Sequence, residues 1–139
     1  MTENLPKFNR TFLNVERDEA GKVVAFDIDR RYWERGNGLG SLLNPETQKM
    51  CCLGFYSLAC GLTYKEIENQ DLPSSVRLRK EMEWLTEESV LPFDKTLSYS
   101  EYEDALAYIN DESDLKNSDR ERKIKARFAK NGITVNFVN

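Results

Sequence analysis

Thirteen consecutive residues, Met50 to Leu62 (MCCLGFYSLACGL), carry no charged side chain in a 139-residue protein in which Asp, Glu, Lys and Arg make up 32%. A segment apolar on every side has to be buried, so the remaining elements must be arranged around it. Its spacing is helical: Cys52, Phe55, Ala59 and Leu62 fall on one side, and Leu53, Tyr56 and Cys60 fill the other. It is too short to cross a bilayer, which takes about 20 apolar residues. Gly61 suits the left-handed position that ends a helix, with Leu62 folding back on the last turn. Gly54, inside the run, weakens the helix unless another segment packs closely against it, so a close neighbour is expected there.

Upstream, Phe8 to Val15 alternates loosely between apolar and polar residues. Val23 to Asp29 does so more cleanly, with Val24, Phe26 and Ile28 against Val23, Ala25 and Asp27. The polar stretch RDEAGK between them contains Gly21, which predicts an antiparallel hairpin. Asp29 can cap a short helical segment that ends at Gly36. Gly36, Asn37, Gly38 and Gly40 then form the most permissive stretch of the chain, followed by the turn signal NPETQ.

Downstream of the apolar run, Thr63 and Glu66 have capping-box spacing and open a short helix through Asn69. Leu78, Met82 and Leu85 predict a helix over 74–85. Ser100 and Glu103 open another, with Tyr102, Ala105, Leu106 and Ile109 inward. Asn117 to Gly132 is the best specified, with a capping box at Ser118 and Glu121 and an inward face of Ile124, Phe128 and Ala129. Ile133 to Val138 alternates as a closing strand. The expected fold is therefore α+β: a small antiparallel sheet, made of the N-terminal hairpin and the C-terminal strand, covered by four or five helices around a buried central helix. Residues 1–6 are expected to be a flexible N-terminus and 7–139 a single domain.

Several chemistries are excluded by composition. The chain has no histidine, which removes Ser-His-Asp and Cys-His catalysis, imidazole metal ligation and a histidine pH switch. Three cysteines, an odd number within the apolar run, read as reduced core residues of a cytosol-like compartment. They lack zinc-ligand spacing. The net charge of −4 and pI near 5.0 argue against a general nucleic-acid binder and against an anionic membrane surface. The N-terminus MTENLPKFNR has no apolar region of the kind a signal peptide needs. Neither a cofactor nor a metal is expected.

Four constellations remain. Cys51-Cys52, near a helix start, could be an activated thiol or a core pair, and the apolar surroundings favour the core. Glu101, Glu103, Asp104, Asp111, Glu112 and Asp114 could do acid–base work or bind calcium, but they fall where a helix dipole and solvent favour acids. Arg120, Arg122, Lys123, Lys125, Arg127 and Lys130 line a basic helix face that could follow a phosphate backbone or stand solvated. Tyr32, Trp33, Arg35, Gly36, Asn37, Gly38 and Gly40 combine hot-spot residue types with an adaptable loop, and are the candidate binding residues. Trp33 could equally plug the core, while Arg35, just before the loop, is expected to be exposed. The glycine pattern is not a nucleotide fingerprint, since it neither follows a strand directly nor contains Gly-Lys-Ser/Thr.

Trp33-x-Arg35-Gly36, Met50-Cys51-Cys52-Leu53-Gly54-Phe55, Ile109-Asn110-Asp111 and the closing Gly132-Ile133-Thr134-Val135-Asn136-Phe137-Val138 resemble a group of small proteins encoded in tailed phages and prophages. The resemblance covers most of the chain beyond about Val23 and rests on fold motifs. It implies a phage accessory protein made in the bacterial host cytoplasm, and it carries over no activity or functional residue. The expected function is a non-enzymatic protein-binding module that engages or inhibits a host protein. The alternatives are a small ligand or nucleotide bound by Arg35 and the glycine loop, and nucleic acid on the basic helix. A deep polar pocket beside Arg35 would favour a small ligand, and a flat, apolar-rimmed patch a protein partner.

Overall fold

The computed structural model describes residues 14–36, 42–44, 46–68, 82, 84 and 106–139. The residues expected to fray (1–6), the strand start at Phe8, Asn37, Gly38 and Gly40, the helix over 74–85 apart from Met82 and Trp84, and the Ser100–Glu103 capping box lie outside them.

Three strands form one sheet in the order β1 (Val15–Arg17), β2 (Val23–Asp29), β3 (Thr134–Val138). The antiparallel pairing of β1 and β2 is as expected, with a bulge between Glu16 and Arg17, but β1 is described over Val15–Arg17, so Arg17, read in the sequence as part of the turn, belongs to the strand. Asp18 Oδ1 accepts hydrogen bonds from the amides of Ala20 and Lys22, and Gly21 takes the φ of +85° that the turn requires. The third strand corrects the expectation of an antiparallel sheet. β3 runs parallel to β2, from Ala25 opposite Thr134 to Asp29 opposite Val138, so the sheet is mixed. Apolar alternation has the same period whichever way a strand runs, and direction is set by the connection. Here the crossover contains all the described helices, and its last helix turns straight into β3.

That helix, α4 (Asn117–Ala129), buries Ile124 and Phe128 as expected, while Ala129 is exposed. It ends where the amide of Ile133 donates to Phe128 O and that of Gly132 to Ala129 O, with Gly132 at φ +73°. Its start differs from the capping-box expectation. Ser118 is already inside the helix, Lys116 holds the cap position without a side-chain bond, and Glu121 pairs with Arg30 instead.

The apolar run is the core. α1 (Cys52–Ala59) has all eight residues buried. It is preceded by an extended Met50, whose amide donates to Tyr32 O and whose carbonyl accepts from Glu34 N. At its C-terminus the amides of Leu62 and Gly61 donate to Ser57 O and Leu58 O, the closure predicted for Gly61. Gly54 has the close neighbour its place demanded: a Cβ there would lie 2.0 Å from Leu42 O. α2 (Tyr64–Ile67) opens with the predicted Thr63–Glu66 capping box but stops short of Asn69, since Glu68 is extended. α3 (Leu106–Asp111) buries Leu106 and Ile109. Among the described residues there are thus four α-helices against a small sheet, an α+β arrangement. Phe26, Tyr56, Phe128 and Trp84 interlock between sheet and helices at ring separations of 5.2 to 5.6 Å, and Trp84 Nε1 donates to Tyr56 Oη.

Candidate functional site

The segment singled out in the sequence begins where β2 ends. Asp29 Oδ1 accepts from the amide of Arg31 and so caps a single 3₁₀ turn, Arg30–Tyr32. Burial opposes ionisation of the Asp29 carboxyl, but hydrogen bonds and charge from Arg31, with a hydrogen bond from Asn139, outweigh it and hold the carboxyl below its ordinary value. The chain then runs extended beside Met50, which fixes the side chain of Trp33 inward.

Trp33 is a core residue, 2% exposed. Its ring packs against Phe137 at 4.8 Å, the guanidinium of Arg35 lies 4.6 Å from its centroid, and its indole N–H donates to Asn110 Oδ1. Of the two readings for Trp33 the core one describes its side chain, which is therefore closed to a partner. Tyr32 is half-buried. Arg35, expected to be exposed, is half-buried as well. Its Nη1 donates to Arg30 O and Trp33 O, and burial lowers its pKa, helped by the charge of Arg30 and opposed by Glu121. Gly36 has a φ of +71° and donates its amide to Asn110 O.

Asn110, on α3, ties this segment to the central helix. Its Oδ1 also accepts from the amide of Cys52, supplying the cap that Cys51 cannot make, and its Nδ2 donates to Glu34 O and Asp111 Oδ1. Behind it lies Arg120. The sequence places Arg120 on the basic outer face of α4; the structure buries it to 1% exposure. Its Nη1 donates to Ile109 O and Asn110 O, its Nη2 to Leu115 O and its Nε to Asn117 Oδ1. These acceptors include carbonyls at the C-terminal end of α3, where a cation is favoured. All are uncharged, so the guanidinium is solvated by dipoles but not neutralised. Burial lowers its pKa first and the charge of Arg35 second, against the pull of Asp111 and Glu112.

In front of Arg35 and Arg120 opens a cleft of about 700 Å³. Three pieces of chain supply its described walls: 33–36, the turn residues Thr47 and Lys49, and the α3–α4 loop at Ser113, Leu115 and Lys116 running into the first turn of α4 at Asn117 and Arg120. Among its described lining residues are four cations, Arg35, Lys49, Lys116 and Arg120, and one carboxylate, Glu34. Lys49 and Lys116 are exposed and form no ion pair with a described residue. The nearby Arg30 is engaged by Glu121 in a two-point pair of 2.8 and 2.7 Å, which holds Glu121 below its ordinary value.

The other constellations are placed as follows. Cys51, Cys52 and Cys60 are buried and form no disulfide; burial pushes the Cys51 thiol up to about 12 and Cys52 well up too, so thiolate is disfavoured at both. Arg122 and Lys125 on α4, and Lys130 at its C-cap, are exposed. Glu101, Glu103 and Asp104 lie outside the described residues. No group of three or more Cys, Asp or Glu side chains among the described residues could hold a metal ion. No described helix is long and apolar enough to cross a membrane.

Sequence reasoning found Arg35 and Gly36, missed Lys49, Lys116 and Asn110, and put Arg120 on the outer face of its helix, where the structure buries it. Lys49 and Lys116 join the site only through folding, with nothing local to distinguish them from solvated lysines. Arg120 did leave a signal: it lies four residues before Ile124 and eight before Phe128, on their inward face. Compared with known protein families, curated proteins and solved structures, the chain matches none.

Proposed function

We propose that the chain is a binding protein whose cleft takes a small anionic ligand. The observation that carries this reading is the charge of the described lining, in a protein whose net charge is −4: four cations, of which Lys49 and Lys116 are exposed, against the one carboxylate of Glu34. Asp111, Glu112 and Glu121 act on Arg120 and Arg35 from outside it. A local excess against the overall sign attracts anions and concentrates them at the site. Two of the cations, Arg35 and Arg120, are half-buried or buried with carbonyl and amide partners in place of carboxylates. The volume falls within the range of about 300–1,000 Å³ common for small-molecule sites.

A protein-binding surface over 32–40 has less support, because the side chain of Trp33 is engaged in the core and gives a partner no aromatic anchor. A phage accessory role, implied by the motif resemblance, is compatible with a small-ligand receptor and adds nothing to the argument for the cleft.

Melting in a series of sodium salts at constant ionic strength tests the reading. Multivalent anions such as phosphate and citrate should raise the melting temperature of the wild-type chain above its value in chloride, by linkage. The rise should disappear in the Lys49→Glu/Lys116→Glu double variant. Equal melting of the wild type in chloride, phosphate and citrate would count against an anion site.

A further inference from the structure

Resting on the anion-binding reading, we infer that the ligand is a phosphate-bearing small molecule, held by its phosphate oxygens and not by an aromatic base. The first ground is the sense of the hydrogen bonds left to the cleft. Thr47 Oγ1 already accepts from the amide of Lys49, which leaves the hydroxyl hydrogen to donate. Asn117 Oδ1 already accepts from Arg120 Nε, which leaves Nδ2 to donate. With the ammonium groups of Lys49 and Lys116 and the remaining N–H groups of Arg35, the described lining offers donors from three pieces of chain, against the single carboxylate of Glu34. A carboxylate has two oxygens and one charge; a terminal phosphate has three strong acceptor oxygens and close to two charges. The phosphate satisfies such a set more completely.

The second ground concerns what the cleft withholds. Nucleobases are commonly held by stacking on aromatic rings. The aromatic side chain among the described lining residues is Trp33, whose ring already carries Arg35 at 4.6 Å and Phe137 at 4.8 Å and whose N–H belongs to Asn110. An adenine or guanine would have to displace core contacts to stack there.

Isothermal titration of the full chain with pyrophosphate, succinate and adenosine diphosphate, at one ionic strength, tests the inference. Pyrophosphate should bind saturably and at least about tenfold more tightly than succinate, with adenosine diphosphate no tighter than pyrophosphate. Lys49→Glu and Lys116→Glu should each weaken pyrophosphate binding by about tenfold or more. Both lysines are exposed, so both variants should melt like the wild type without ligand; if a reversal unfolds the chain, Lys49→Gln and Lys116→Gln replace it. Succinate binding as tightly as pyrophosphate would overturn the choice of phosphate and leave the anion cleft standing. Adenosine diphosphate binding about tenfold more tightly than pyrophosphate would show that the base is read, and would overturn the second half of the inference. Pyrophosphate binding unaffected by any lysine variant would place the ligand elsewhere, and no saturable binding of any probe would overturn the anion reading itself.

Discussion

The side-chain oxygen of Asn110 lies 2.8 Å from the indole nitrogen of Trp33, and the same oxygen accepts the first amide of the central helix from Cys52 at 3.0 Å. One buried amide thus fixes the rotamer of the core tryptophan, caps α1 and, through its Nδ2, holds the carbonyl of Glu34. Asn110→Ala takes the acceptor from two buried donors, Trp33 Nε1 and Cys52 N, at about 1–3 kcal/mol each, and withdraws one hydrogen bond each from Glu34 O and Asp111 Oδ1. The expected loss is about 3 kcal/mol or more, read as a lower midpoint in urea. Asn110→Asp keeps the acceptor, loses the donor and adds a charge beside Asp111, so it should also destabilise at neutral pH.

Gly54 tests the packing of the core. A methyl group there would meet the backbone carbonyl of Leu42, which cannot swing aside as a side chain can. Gly54→Ala should therefore destabilise by about 3 kcal/mol, against the small gain alanine gives in an open helix. Urea denaturation of the variant beside the wild type checks this.

Two carboxyls, Asp29 and Glu121, have folded-state pKa values below their ordinary ones, 3.8 and 4.5. A depressed folded value means that the stabilisation is complete above the unfolded pKa and is lost as pH falls through the folded one. Stability should accordingly be flat from pH 8 to 6, where no histidine titrates, and decline below about pH 4.5. Glu121→Gln should remove part of that acid slope. At neutral pH it should cost only about 0.5–1 kcal/mol, since Arg30 is 37% exposed and solvent screens the pair.

The thiols of Cys51, Cys52 and Cys60 are buried, and burial disfavours the thiolate of the first two. A thiol reagent should label the native protein slowly, and labelling should accelerate when urea unfolds it. Fast native labelling at Cys51 or Cys52 would mean that α1 opens far more readily than its burial implies.

Much of this architecture is legible in the sequence because it depends on local chemistry. The charge-free run, Gly61, Gly132, the Thr63–Glu66 box and the turn at Gly21 each act within a few residues of themselves. Strand direction is not local: β3 pairs with β2 in the sense set by where α4 docks, and the alternation of Val135 and Phe137 is the same for either sense. The site is less legible still. Arg35 and Gly36 stood out by type and position, whereas Lys49 and Lys116 reach the same cleft from a turn and a loop distant in sequence. Glu121 was spaced for a cap and became the partner of Arg30, because tertiary contact from the 3₁₀ turn reached it while Ser118 was already helical.

The central claim is that anions bind in the cleft beside Arg35. A two-dimensional amide NMR titration of the wild-type chain with pyrophosphate tests it most directly, since it reports position as well as affinity. The account predicts saturable shifts concentrated at Gly36, at Thr47 to Lys49 and at Ser113 to Asn117, with the outer face of α4 at Arg122, Lys125 and Lys130 little changed. Shifts confined to that outer face, or no shifts at all, would contradict it.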